Sequence, residues 1–220
     1  MPENFTPHTE SQDSKPIRRI SKYDTYDLKD PKDVIERNYI ISIDKKLNPT
    51  DSQVILVNKP KFKQFFSKIN ANKPDKLQKL QEDSIKIIIE SLVSSVVHSK
   101  NLLKPIINQY FGSINIYERM VAEEALNYCN FEDNNFYQKV YENSNDLDIK
   151  FKALKKVKDQ VYLMKLITTD LHKDDTPSAK AVAIAIYGIS DRELLQKIIT
   201  DRKVHPEIER AAKERLNLLK

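Results

Sequence analysis

The chain has 220 residues, 40% of them hydrophobic, which suffices for one large or two small domains with a real core. Two glycines against ten prolines, and no tryptophan, disfavour folds that need many tight turns, such as sandwiches, barrels and glycine-cradled nucleotide folds. The formal net charge of +5 is uneven, with −1 in residues 1–30, +6 in residues 31–110 and zero in residues 111–220. A basic stripe along the second half, typical of nucleic-acid-binding solenoids, is therefore not predicted.

Compartment signals are those of a cytoplasmic protein. Cys129 is the single cysteine, so no intramolecular disulfide can form and a reducing compartment fits best. The first residues lack a basic region followed by an apolar run, and no secretory signal is predicted. The apolar stretch Ile85–Val97 contains Lys86 and Glu90 and is shorter than the ~20 residues that cross a bilayer. We therefore expect a soluble, cytoplasmic protein without a transmembrane segment.

Residues 1–30 are polar and punctuated by prolines, which predicts a mostly disordered tail. Within it, residues 16–26 mix isoleucines, tyrosines and basic side chains, a pattern typical of a short segment that orders on a partner. A solvated tail explains the same residues and is the simpler interpretation. The candidate partner-binding residues are Ile17, Arg18, Arg19, Ile20, Tyr23 and Tyr26.

Residues 31–112 form a basic region that is predicted to be helical. Asp30 followed by Pro31 predicts a helix start, with the aspartate as N-cap and the proline in the first turn. Two runs rich in Ile and Val lie within residues 39–57 and flank a turn-rich loop. They predict either a small β-hairpin or the ends of two helices.

A long helix is predicted from Pro74 to about Ser99. Its apolar stripe widens in the second half until nearly every side is apolar, which favours a central helix over a surface helix. A shorter helix over residues 102–111 follows, and Gly112 is suited to end it.

The last part of the chain contains an internal repeat. Residues 145–170 and 174–201 read as one unit written twice, and the chain begins the unit again at residue 204. Each unit runs into an alanine-containing amphipathic helix, breaks before Asp159 or Asp191, and enters a second helix. A step of about 30 residues is typical of helical hairpins, which bury their apolar faces by stacking.

Residues 115–141 have the same pattern in diverged form. We therefore predict three helical hairpins in residues 113–220, with a final helix over residues 205–219 that caps the stack. Asp159 and Asp191 are the expected N-caps of the second helices.

The units DLDIKFKALKKVKDQVYLMKLITTD and PSAKAVAIAIYGISDRELLQKIITD resemble HEAT-like α-helical repeats over about residues 115–219. The resemblance implies a mainly α fold, with a first helix of small residues packed behind a second helix. It leaves function open, because such repeats serve as scaffolds, adaptors, transport factors, lyase-type enzymes and DNA glycosylases. The glycosylase branch would be expected to offer aromatic residues and a carboxylate on a concave basic face, whereas this repeat half is electrically neutral and lacks tryptophan.

Residues that could carry chemistry are sparse. The acidic loop 170–175 contains His172, but a polar turn that caps the next helix explains it better than a metal site. Cys129 has no histidine near it in sequence, and the sequence contains no GxSxG, HExxH, CxxC or glycine-rich phosphate loop. We predict no catalytic, cofactor-binding or metal-binding residues.

The favoured function is a non-enzymatic adaptor or scaffold that binds protein partners through its helical surface, with no cofactor or small-molecule substrate. The layout is also similar to that of small accessory subunits of bacterial secretion coupling complexes, so we expect membership of a larger assembly. Nucleic-acid binding through the basic residues 31–110 is the alternative. An enzyme with a HEAT-like fold, of the DNA glycosylase or lyase type, ranks third.

Overall fold

The computed structural model describes residues 22–173 and 175–219, which form helices and connecting turns without any β-strand. The helices are α1 (Pro31–Asp44), α2 (Pro49–Val57), α3 (Lys59–Ala71), α4 (Glu82–Val96), α5 (Lys100–Tyr110), α6 (Ile116–Tyr128), α7 (Asn134–Asn143), α8 (Leu147–Leu154), α9 (Gln160–Asp170), α10 (Thr176–Gly188), α11 (Arg192–Thr200) and α12 (Pro206–Leu218). The predicted mainly α fold is confirmed.

Short polar side chains begin most of these helices. Asp30 caps α1 with Pro31 in the first turn, and Asp159 and Asp191 cap α9 and α11, as the sequence predicts. Each carboxylate accepts hydrogen bonds from backbone N–H groups of the first turn, which have no partner within the helix.

The β-hairpin predicted across residues 39–57 is wrong, and the alternative of two helix ends is confirmed. The turn-rich loop between the two apolar runs is a helix start, because Asn48 caps α2 and Pro49 occupies its first turn. The two runs bury Ile40 and Leu56 completely inside the helical core. Burial against neighbouring helices therefore outweighs the local preference of β-branched residues for strands.

Helix α4 is the central helix of the first half, as predicted, and it packs against α1, α2, α5 and α6. Its predicted start at Pro74 is wrong, because the helix begins at Glu82. Residues 72–81 form turns that bury Leu77 and Leu80 without helical geometry.

A carboxylate from another helix caps α4, since its own N-cap residue Gln81 makes no side-chain cap. The buried Glu36 of α1 accepts the Gln81 backbone N–H at 2.7 Å and the hydroxyl of Ser84. Ser84 is also hydrogen-bonded to the hydroxyl of Tyr26 at 2.8 Å. Because a buried carboxylate needs hydrogen-bond donors, this network fixes α1 and residues 22–30 on the start of α4.

The even-numbered helices α2 to α12 form one row, in which each helix packs against the next even-numbered one. Helices α5, α7, α9 and α11 form a second row, and each lies against the even-numbered helix that follows it. The buried alanines all lie on even-numbered helices, and they are Ala122, Ala125, Ala153, Ala179, Ala181, Ala183, Ala185, Ala211 and Ala212. Small side chains permit close approach where a helix has neighbours on several sides.

This packing shifts the predicted hairpin units by one helix. The extensive contacts join α7 to α8, α9 to α10 and α11 to α12, instead of α8 to α9 and α10 to α11. The short breaks before Asp159 and Asp191 therefore carry the chain from one row to the other. Helices α9 and α10 approach closely at Gly188, where an added Cβ would lie 2.6 Å from Cδ1 of the buried Leu163 and would displace that side chain.

Hydrogen bonds repeat along the second row as well. The first residue after the aspartate cap of α7, α9 and α11 makes a side-chain hydrogen bond to the backbone of a segment further along the chain. Asn134 Oδ1 accepts the Lys158 N–H at 2.7 Å, and Gln160 Oε1 accepts the Ser190 N–H at 3.1 Å. Arg192 donates to a backbone carbonyl at the end of α12, at 2.8 Å. Equivalent positions thus bind the backbone of a later segment, Asn134 and Gln160 as acceptors and Arg192 as a donor.

Replacing Ala185 with Leu should lower the free energy of unfolding by about 1–3 kcal/mol, because α10 is enclosed by α8, α9 and α12 and overpacking forces strain. Urea denaturation followed by circular dichroism measures this change. Leucine at the exposed Gln196 of α11 is the control, with an expected change below about 0.5 kcal/mol. Equal stability of the two variants would contradict the close packing of α10.

Candidate functional site

An open groove of about 490 Å³ lies between α1, α2 and α3, and we call it the α1–α3 groove. Its floor and walls are mainly apolar, and the apolar residues are Tyr39, Ile43, Leu47, Val54, Ile55, Phe65 and Ile69. Helix α1 packs on α4 whereas α3 packs on α2, so the faces of α1 and α3 that border the groove are not covered by another helix.

Several apolar side chains of the groove remain partly in contact with solvent. Ile43, Ile55 and Phe65 are half-buried, and Val54 is 44% exposed. The Tyr39 hydroxyl donates a hydrogen bond to the Ile69 carbonyl at 2.7 Å and joins α1 to α3. Burial raises the pKa of Tyr39, so its hydroxyl stays protonated as a donor at neutral pH.

Three lysines, Lys46, Lys61 and Lys68, line the same groove. No carboxylate of the described residues lies within ion-pair distance of any of them. Asp51, the acidic residue of the lining, accepts a hydrogen bond from the Asn48 side-chain amide at 2.7 Å. The groove therefore combines apolar surface with uncompensated positive charge.

The positive charge continues beyond the groove. Residues 45–79 contain nine lysines, two aspartates and no arginine, a net charge of +7. Seven of these lysines lie on α3 and on the turns that follow it, and five of the seven are exposed: Lys61, Lys63, Lys68, Lys76 and Lys79. Lys59 is half-buried and pairs with Glu118 at 3.4 Å. The basic excess of the first half is thus concentrated at one end of the helical stack.

A second concavity, of about 330 Å³, lies on α4, α6 and α8 and has the opposite sign. Its charged residues are Glu82, Lys86, Glu90, Glu123, Glu124, Asp148 and Lys152. Burial raises the pKa of Glu90, and the nearby carboxylate of Glu124 raises it further. Like charges are thus held close together here, with Lys152 compensating Glu123 at 2.7 Å.

Two of the candidate partner-binding residues, Tyr23 and Tyr26, pack within the chain and not in the α1–α3 groove. Tyr26 is 6% exposed, and the Tyr23 hydroxyl donates to Asp44 at the end of α1. Lys22 pairs with Asp44 at 2.7 Å and donates to Ser91 of α4 at 2.7 Å. Residues 22–30, the described part of the predicted tail, therefore form turns that join α1 to α4.

The other candidates, Ile17, Arg18, Arg19 and Ile20, lie outside the described residues, as does the rest of the predicted tail up to residue 21.

The acidic loop near His172 is used for local contacts. Lys173 pairs with Asp170 at 2.6 Å, and Asp175 caps α10, in agreement with a polar turn that caps the next helix. His172 Nε2 lies 3.5 Å from the carboxylate of Asp201. In the described part of the chain, no group of three His, Cys, Asp or Glu side chains is arranged to hold a metal ion.

Cys129 is a buried thiol that receives a hydrogen bond from the Tyr137 hydroxyl at 3.6 Å. Burial raises the pKa of Cys129, which keeps the sulfur in the less nucleophilic thiol form. Its contacts are those of a packing residue.

The α1–α3 groove was not predicted from the sequence. The interpretation of residues 39–57 as a hairpin or two helix ends left α1 and α2 without defined faces. The available signal was the repeated pairing of apolar residues with lysines along α3, where Lys61 and Phe65 share one face at a spacing of four.

Comparison of the chain with models of protein families, with curated proteins and with solved structures gives no match. Among the described helices, none combines the length and the apolar character that crossing a membrane requires.

Replacing Asp44 with Asn should reduce the loss of folding free energy that occurs as the pH falls into the acid range. Burial alone would raise the pKa of Asp44, but hydrogen bonds from Lys22 and Tyr23 outweigh it and lower the pKa below its usual value. Such a carboxyl stabilises the fold above its unfolded pKa of about 4, and the contribution is lost as pH falls through the lower native pKa. The wild type should therefore lose more stability below about pH 4 than Asp44→Asn does.

Urea midpoints measured across this pH range test the prediction. Asp75→Asn, which makes the same change at an exposed position, is the control and should retain the wild-type slope. A parallel pH dependence of Asp44→Asn and the wild type would contradict the role of this contact.

Proposed function

We propose that the protein is a non-enzymatic adaptor that binds a segment of a partner protein in the α1–α3 groove. The observation that carries the proposal is the partly exposed apolar floor bordered by Lys46, Lys61 and Lys68. Apolar surface that a folded chain leaves open in a concavity gains free energy when a partner covers it. The helical stack then serves to hold the groove and to present other surfaces of the same subunit to a larger complex.

The proposal includes the expectation that α6 to α12 form a HEAT-like repeat array. Three features support it: the two rows of helices, the alanines confined to one row, and the repeated contacts of Asn134, Gln160 and Arg192. Repeat arrays of this kind offer extended binding surfaces.

Nucleic-acid binding is the second candidate function, and the net charge of +7 in residues 45–79 favours it. Exposed lysines can neutralise phosphates and release counterions. A phosphate backbone would, however, leave the apolar floor of the groove without a complementary surface. We therefore rank a protein partner first.

Replacing Val54 with Asp should abolish partner binding without unfolding the protein. Val54 lines the groove and is 44% exposed, so an aspartate at this position stays hydrated in the unbound protein. A bound apolar partner would remove water from that carboxylate, which costs free energy. Binding should weaken by at least about tenfold. The control is Val161→Asp, the same substitution at a residue of α9 that is 79% exposed.

The measurement is co-purification of the tagged full-length chain at native level, followed by binding of the purified partner to both variants. A stoichiometric protein that Val161→Asp retains and Val54→Asp loses supports the adaptor. A partner that binds Val54→Asp as well as the wild type would remove the groove from the function. Recovery of nucleic acid alone, released by nuclease and by raised salt, would establish the second candidate instead.

A further inference from the structure

Resting on this proposed function, we infer that the segment bound in the α1–α3 groove is an acidic amphipathic α-helix. Its apolar stripe covers the groove floor, and its Asp and Glu side chains face Lys46, Lys61 and Lys68.

The sign of the partner's charge follows from the lysines of the groove. They have no carboxylate partner among the described residues, and they belong to a stretch, residues 45–79, that contains nine lysines and two aspartates. A basic segment would place like charges next to each other, whereas an acidic one gains attraction at every lysine. Charge at the border of a groove selects between partners more than it adds affinity.

The helical form of the partner follows from the groove walls. An extended peptide usually binds by adding a strand to a sheet edge, and the described residues contain no strand. A helix satisfies its own backbone hydrogen bonds and presents only side chains to the groove. The spacing of the lining residues fits a helical partner, because Ile43 follows Tyr39 by four positions on α1 and Ile69 follows Phe65 by four on α3. Rows at this spacing are the ridges between which the side chains of another helix pack.

The apolar floor separates this partner from a polyanion. Val54, Ile55 and Phe65 lie in the same concavity as the lysines, so one ligand must satisfy both. A helix with apolar residues at positions i, i+3, i+4 and i+7 and carboxylates on both flanks does so. The groove therefore selects a partner that has both an apolar stripe and flanking carboxylates.

Three synthetic helical peptides test the inference against the full-length protein by fluorescence anisotropy. The first has an apolar stripe flanked by Glu, the second has the same stripe flanked by Lys, and the third has the composition of the first in scrambled order. The Glu-flanked peptide should bind the wild type at least about tenfold more tightly than the other two.

Binding of the Glu-flanked peptide should fall by at least about tenfold in Val54→Asp and in the triple variant Lys46→Glu, Lys61→Glu, Lys68→Glu. The triple variant should instead prefer the Lys-flanked peptide. Lys139→Glu, Lys165→Glu, Lys197→Glu is the matched control at exposed lysines of α7, α9 and α11, and it should bind as the wild type does.

Equal binding of all three peptides, lost in Val54→Asp, would overturn the acidic helix and leave the groove as a binding site. Absence of peptide binding would also overturn it, and the co-purification experiment would still decide the adaptor function.

Two further results would overturn the inference by naming another occupant. One is a single-stranded nucleic acid that binds more tightly than the Glu-flanked peptide and is unaffected by Val54→Asp. The other is a rise in peptide affinity of at least about tenfold in the triple variant Glu3→Gln, Glu10→Gln, Asp13→Asn. That rise would show that the chain's own first residues occupy the groove and compete with the peptide.

Discussion

The even-numbered helices from α2 to α10 each pack against at least three other helices, and this enclosure limits the side chains that their crossings can hold. Helices α6, α8 and α10 have alanines at these crossings, and an alanine side chain takes little space and carries no polar atom. Helix α4 differs, because its small buried residues are Ser84 and Ser91, two helical turns apart. Those hydroxyls bind Tyr26 and Lys22, so the first half of the row accepts a non-helical segment where the second half accepts helices.

The α1–α3 groove arises where the alternation of the two rows breaks down. From α5 onward, each odd-numbered helix lies on the even-numbered helix that follows it. At the start of the chain the order changes, since α1 lies on α4 and α3 lies on α2. The groove lies at this irregular end of the stack, and residues of α1, α2 and α3 line it.

The sequence predicts features that a short stretch of residues determines, and it does not predict features that depend on the packing of distant helices. Caps such as Asp159 and the all-round apolar character of α4 are properties of short stretches, and both predictions are confirmed. The hairpin prediction failed because the runs within residues 39–57 have the composition of strands, whereas the caps before them and burial against neighbouring helices favour helices. The groove could not be predicted for a related reason. Half-buried residues such as Ile43 and Phe65 look like core residues until the missing neighbour is known.

The choice between a protein and a nucleic acid rests on the kind of basic residue as well as on the apolar floor. Residues 45–79 contain lysines but no arginine, the side chain that recognises phosphate with two parallel hydrogen bonds. A lysine carries its charge on a long apolar stem, which can lie along an apolar wall while the ammonium stays in water. Lys46, Lys61 and Lys68 line the α1–α3 groove together with Ile43 and Phe65, so that long apolar stems and positive charges occur in the same concavity. A ligand that is apolar at its centre and acidic at its edges matches this arrangement, whereas a uniformly charged phosphate backbone matches only the border.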